Sequence, residues 1–130
     1  PQDAHYAYAV VMGVDVKETA ELHETPPFEI LENSSDAQIV KWKDGLNQTV
    51  FWKPGEVRIS DQVVLSANQG CTMMVRESDG ELGITVANPN QLSEQIVIQV
   101  KVDEVVKDVV VDYPRDGLAG SSVNVVVPIW

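Results

Sequence analysis

Cys71 is the only cysteine in the chain, so no intrachain disulfide and no cysteine-based metal site can form. Compartment stays open on that ground, because many secreted bacterial domains also lack disulfides. Histidine is nearly as scarce: His5 and His23 are the two imidazoles, and neither stands in a nucleophile or metal-ligand motif. Cations are few as well. Nine Lys and Arg against twenty Asp and Glu leave a formal charge of -11, which removes the clustered basic face that a phosphate backbone requires. Nucleic acid is therefore not expected as a partner. The acidity keeps the chain soluble and suits a salty, well-screened medium. No apolar run approaches the roughly 18 residues of a membrane-spanning helix, and no membrane partner is expected. There is no Gly-rich phosphate loop and no GxSxG-type serine. No basic-then-apolar leader opens the sequence PQDAHYAYAVV; a mature protein and an excised piece of a longer one would both look like this, and the excised piece is the expectation.

What remains is strand-forming sequence over the length of one domain, 130 residues with 44% hydrophobic. Apolar and polar residues alternate with period two, the mark of half-buried strands. Residues 94–102 show it most clearly: Ile96, Ile98, Val100 and Val102 share one face, and Gln95, Gln99 and Lys101 the other, with Val97 out of pattern. Comparable segments are 5–12, 28–31, 37–43, 49–53, 57–60, 62–66, 71–77, 81–87, 105–112 and 123–130. Turn signals separate them, among them Asp44-Gly45, Lys53-Pro54-Gly55, Ser78-Asp79-Gly80 and Asn88-Pro89-Asn90. This spacing predicts an all-β fold, an antiparallel sandwich of the jelly-roll or Greek-key kind with about eight to eleven strands. One short surface helix is expected over 16–24, capped by Asp15 with Glu18 as its reciprocal partner and stopped by Pro26-Pro27. The chain is read as free of internal repeats.

Catalysis finds no support. Tyr6 and Tyr8 lie beside His5 at strand spacing, and a Tyr–His pair can abstract a proton. Alternating aromatics on a strand are more simply one packed face. Side-chain oxygens at Glu32, Asn33, Asp36 and Asp61 offer hard ligands for a structural calcium, without EF-hand spacing; solvated turn carboxylates are the plainer account. No other cofactor is expected.

The concentrated feature is Lys41-Trp42-Lys43-Asp44-Gly45-Leu46-Asn47-Gln48-Thr49-Val50-Phe51-Trp52-Lys53, a hairpin about Asp44–Asn47, with Arg58 on the next strand. Indoles and lysines lie together in an otherwise acidic chain. A pyranose stacks its C–H face on an indole while Lys and Arg donate to carboxylate or sulfate, so an acidic polysaccharide needs both features side by side. Strand alternation places Lys41 and Lys43 opposite Trp42, and one aromatic of the Phe51–Trp52 pair must point away from the core. Trp42, beside Val40, is expected in the core on packing grounds and on the sugar-binding surface on the second reading. The candidate carbohydrate-binding residues are Trp52, Trp42, Lys41, Lys43, Lys53 and Arg58; Arg76 is a weaker addition.

The segments FEILENSSDAQIVKWKDG, VFWKPGEV and MMVRESDGELGITVANPNQ resemble the C-terminal β-sandwich of polysaccharide lyase family eight, the hyaluronate, chondroitin AC and xanthan lyases. HYAYAVVMG resembles the last strand of the large sandwich that precedes this small one, although it ends in Met12-Gly13 where members often place Pro. The resemblance implies a strand over 1–13 belonging to that neighbour and a single small sandwich over 14–130. It also implies that the catalytic Asn, His, Tyr and Arg lie in a helical domain outside this chain. None of them maps onto His5, Tyr6 or Tyr8, so the chain alone is expected to lack lyase activity. Two roles follow from it, a carbohydrate-binding module for chondroitin sulfate or hyaluronan or a cap that stabilises the adjoining lyase domains; a protein–protein interaction module of unrelated function is the third alternative. A cap should expose an apolar patch around Tyr6, Tyr8 and residues 10–12. A monomeric bacterial protein, secreted or periplasmic, is expected on either reading.

Overall fold

The computed structural model describes residues 4–129. Helix α1 (Val16–Glu24) opens with the capping box expected of it: Asp15 Oδ1 accepts from the Glu18 amide at 2.8 Å, and Glu18 Oε2 accepts from the Asp15 amide at 2.8 Å. Reciprocal satisfaction of two orphan amides fixes where the helix begins. It buries no residue, so it sits on the surface.

Ten strands follow: β1 (Phe28–Asn33), β2 (Ala37–Trp42), β3 (Leu46–Phe51), β4 (Gly55–Arg58), β5 (Val63–Ala67), β6 (Cys71–Ser78), β7 (Glu81–Ala87), β8 (Gln95–Val102), β9 (Val105–Asp112) and β10 (Val123–Pro128). They form a six-stranded sheet, β1-β2-β3-β6-β7-β10, and a four-stranded sheet, β4-β5-β8-β9, antiparallel throughout. The chain changes sheets after β3, β5, β7 and β9, so hairpins alternate between layers as in other sandwiches. Tight turns match their residues. Asp79 and Gly80, both at positive φ (52° and 76°), make the two-residue β6–β7 connection, the Asp-Gly hairpin turn.

The core lies between the sheets, where alternation aims it. Leu65, Leu82, Val86, Ile96, Ile98 and Val100 are fully buried, each stabilising the fold by about 1.5–3 kcal/mol relative to exposure. β8 follows its sequence pattern, with Ile96, Ile98, Val100 and Val102 inward and Val97 half-buried on the other face.

Residues 5–12 depart from expectation. The alternation predicts a strand, yet this segment makes no ladder. Asn33 Nδ2 donates to the Tyr6 carbonyl at 3.2 Å, and Tyr6 and Tyr8 stack on each other at 6.2 Å and 7°. Alternation marks a chain fit for a sheet but does not supply the neighbouring strand. Of the expected last strand, Trp130 lies outside the described residues, as do residues 1–3 of the expected first one.

Candidate functional site

The β2–β3 hairpin has two unlike faces. Inward go Ala37, Ile39, Thr49 and Phe51, all buried. Outward go Gln38, Val40 and Trp42 from β2, and Gln48, Val50 and then Trp52 just past the end of β3, where the Trp52 amide still donates to Asp36 O at 2.9 Å. Of the Phe51–Trp52 pair, Phe51 is 3% exposed and Trp52 63%. The indole therefore stands on the solvent face because its neighbour fills the core.

Trp42 corrects the packing expectation. It is half-buried, on the outer face, with its ring against Phe28 at 5.3 Å and 60°. The register explains it: Phe28 pairs with Trp42 and Ile30 with Val40, so the outward face of the edge strand β1 shields the indole from the side. Each indole N–H is held across the hairpin. Trp42 Nε1 donates to Gln48 Oε1 at 2.6 Å, and Trp52 Nε1 donates to Gln38 Oε1 at 2.7 Å. Gln38 in turn donates to Ser34 O at 2.6 Å, and Gln48 Nε2 points to Met74 Sδ at 3.8 Å. A glutamine locked at both ends fixes the ring it carries, which reduces the entropy a stacked ligand would otherwise have to remove.

A shallow open groove of about 440 Å³ crosses the outer face from Gln38 and Val40 on β2, past Gln48, Val50 and Met74, to Thr85 on β7; the two indoles stand beside its β2–β3 end and do not line it. Trp52 lies in the row of Asp36 and Trp42 six residues along β2, so their backbone positions are roughly 20 Å apart at the usual rise per residue, and each indole leans back toward its glutamine. The surface can stack on ring faces and offer amide and hydroxyl groups between them.

The cations do not gather there as one surface. Lys41 faces inward beside Ile39 and opposite Asn47, and its Nζ reaches the Ile59 carbonyl at 3.1 Å, joining the two sheets. A lysine at the end of an inward row can bury its stem and send its amine to the rim. Arg58 belongs to β4 in the four-stranded sheet, where its guanidinium donates to Asp61 O at 3.2 Å. The sheet switch at Pro54-Gly55 separates it from Trp52 despite their closeness in sequence. Lys53 stays beside Trp52 and pairs with Asp36 at 2.9 Å. Lys43 is exposed in the turn beyond Trp42. Arg76 reaches the same end from the outer face of β6 and binds Asp44 Oδ2 at 3.0 Å. The Leu46 amide, followed by Arg76, holds the Asp44 carboxyl below its ordinary value.

The other candidates stay apart. Glu32 accepts from Ser34, Asp36 pairs with Lys53, and Asp61 belongs to the opposite sheet; among the described residues no group of three or more His, Cys, Asp or Glu is placed to hold a metal ion. His23 ends α1, and Tyr6 and Tyr8 are exposed. Burial pushes the Cys71 thiol up to about 11 and the Tyr113 hydroxyl higher still, so both remain protonated at neutral pH.

Gln38, Gln48, Phe28 and Met74 escaped the sequence reading. A signal for the first two exists: Gln38-Ile-Val-Lys-Trp-Lys43 and Gln48-Thr-Val-Phe-Trp-Lys53 repeat one six-residue pattern ten residues apart. The expectation of no internal repeat is corrected by it.

A family model described as polysaccharide lyase family 8, C-terminal beta-sandwich domain, matches residues 29–97. Chondroitinase-AC of Pedobacter heparinus is 23% identical over 127 residues, which is 95% of this chain and 18% of that enzyme. A solved chondroitinase AC lyase, studied as enzyme–oligosaccharide complexes, superposes with a TM-score of 0.76 at 19% identity, covering 87% of this chain and 17% of that one. The chain thus spans under a fifth of the length of these relatives, and the structural likeness concerns the fold.

Proposed function

Because this chain belongs to the C-terminal β-sandwich domain of polysaccharide lyase family 8, we propose that the outer face of its six-stranded sheet is a non-catalytic carbohydrate-binding surface. Its ligand is an acidic polysaccharide of the chondroitin sulfate or hyaluronan kind. One observation carries the reading: Trp52 is 63% exposed with its N–H tied back to Gln38, a rigid stacking plate facing solvent. Lys53 beside Trp52 and Lys43 beside Trp42 stand at the two ends of the hairpin to meet carboxylate or sulfate, and Arg76 joins Lys43 there. Lys41 and Arg58 take no part. Affinity is micromolar to millimolar, since a shallow surface excludes little water. The chain acts as a monomeric, secreted or periplasmic part of a bacterial lyase and cleaves no glycan by itself.

Calorimetry of the chain against chondroitin sulfate, hyaluronan, heparin and alginate tests this. Heat with chondroitin sulfate or hyaluronan, reduced about tenfold or more in affinity by Trp52→Ala, is expected. An unchanged affinity in a folded Trp52→Ala variant would mean that a different surface binds.

A second reading, the structural cap, is favoured by the N-terminal segment. Tyr6, Tyr8, Val10 and Met12 are exposed by 82, 80, 79 and 90%, a row of apolar side chains suited to cover by a neighbouring domain. On this reading residues 1–13 complete the preceding sandwich and 14–130 form the small one. No heat with any of the four glycans would favour it.

A further inference from the structure

The repeat in the hairpin is a spatial symmetry as well as a sequence one. β2 and β3 run antiparallel, with Val40 opposite Gln48 and Gln38 opposite Val50. Advancing each residue of β2 by ten positions exchanges these two pairs. That is the action of a two-fold axis normal to the sheet, passing among those four side chains. The side chains obey it: the indole of each strand donates to the glutamine of the other, at 2.6 Å and 2.7 Å. The inward positions of the same strands do not, since Ile39 matches Thr49 and Lys41 matches Phe51.

We infer that the outer face of the β2–β3 hairpin holds two matching half-sites, each an indole pinned by a cross-strand glutamine, which a single linear glycan spans and crosses in either chain direction. This rests on the proposed function. Rotating the complex by half a turn about the axis leaves the hairpin surface as it was and reverses the chain, so the two orientations share the same hairpin contacts. Neighbouring strands break the symmetry: Phe28 and Ile30 flank Trp42 and Val40, while Thr72 and Met74 flank Val50 and Gln48. These flanks tune the balance between the two orientations. A chain long enough to span both half-sites gains from their high effective concentration, whereas a shorter fragment occupies each separately.

The test uses the chain as it stands, with chondroitin sulfate oligosaccharides of graded length and ¹⁵N spectra of the indole N–H groups, assigned through Trp42→Phe and Trp52→Phe. Disaccharides are expected to titrate to two per chain. Longer oligosaccharides should bind one per chain and shift both indoles, and a nitroxide at the reducing end should broaden both, to within about threefold of each other. Trp42→Ala and Trp52→Ala should each weaken the long ligand by about tenfold. Broadening confined to one indole, a single disaccharide per chain, or a Trp42→Ala variant of undiminished affinity overturns the two-half-site inference and leaves the carbohydrate-binding reading standing. If no oligosaccharide of any length shifts either indole, the carbohydrate-binding reading itself fails.

Discussion

The inner and outer faces of one hairpin answer to different demands. Inside, the paired repeats diverge: Ile39 against Thr49, Lys41 against Phe51. A close-packed interior presents a differently shaped space at every point, so two strands of one repeat cannot keep the same inward residues. Outside, Gln, Val and Trp recur in both strands, where solvent would accept almost any polar side chain. Folding does not require that recurrence, and a ligand with repeating units does give it a reason. The faces also differ in how well their polar groups are met. Both outward indoles and both glutamine carbonyls have partners, whereas Asn47 Oδ1 and Thr49 Oγ1 on the inward face of β3 have none.

Separating stability from binding across one peptide bond is the sharpest way to break this contrast. Phe51 is buried, and Phe51→Ala should lose about 3–5 kcal/mol of unfolding free energy in urea. Its neighbour Trp52→Ala should lose about 1 kcal/mol or less, because an exposed ring gives up little burial. The glycan affinity should respond in the opposite order while Phe51→Ala remains folded. If Trp52→Ala destabilises as much as Phe51→Ala, the outer face is part of the structural core and the contrast collapses.

Alkaline titration separates the faces by chemistry. Cys71 rises from its ordinary 9.0 to about 11 through burial, so the folded state holds its proton more tightly than the unfolded chain. Stability is therefore fully present below pH 9 and is lost as pH climbs from 9 toward 11, where the unfolded state binds fewer protons. The loss amounts to about 2 kcal/mol from this group alone. Denaturation midpoints across that range, with Cys71→Ala flattening the decline, check the assignment. A curve equally steep in Cys71→Ala would place the titration elsewhere, and Tyr113, held protonated by burial and by Cys71, would be the next group to replace.

Much of this fold was legible because each strand declares its face by alternation, and because Asp15 with Glu18 is a local, self-contained helix start. That one of Phe51 and Trp52 faces solvent was legible for a related reason, since adjacent residues on a strand point to opposite faces; which of the two it is, alternation alone left open. The failures share a cause in distance. Arg58 follows Trp52 in sequence but crosses to the other sheet, and residues 5–12 alternate like a strand without a neighbour to pair with. Trp42 was assigned to packing or to binding by its strand neighbour Val40, whereas its environment is set by Phe28, which only the β1–β2 register brings alongside. Gln38 and Gln48 were passed over because amides resemble ordinary surface until the register places each beside an indole.

The smallest effect is the most discriminating for the cations. Lys41 shares its strand with Trp42, yet its amine meets the Ile59 carbonyl between the sheets. Lys41→Met keeps the apolar stem and removes one hydrogen bond at the rim of the sandwich, so stability should fall by about 1 kcal/mol or less. Glycan affinity should stay within about twofold of the parent chain, since that is below 0.5 kcal/mol and the amine points away from the groove. Calorimetry with chondroitin sulfate at low salt, where a distant charge would be felt most, is the stringent condition. A tenfold fall there would put Lys41 back on the binding face and show that charge acts through the hairpin, making the two faces one device.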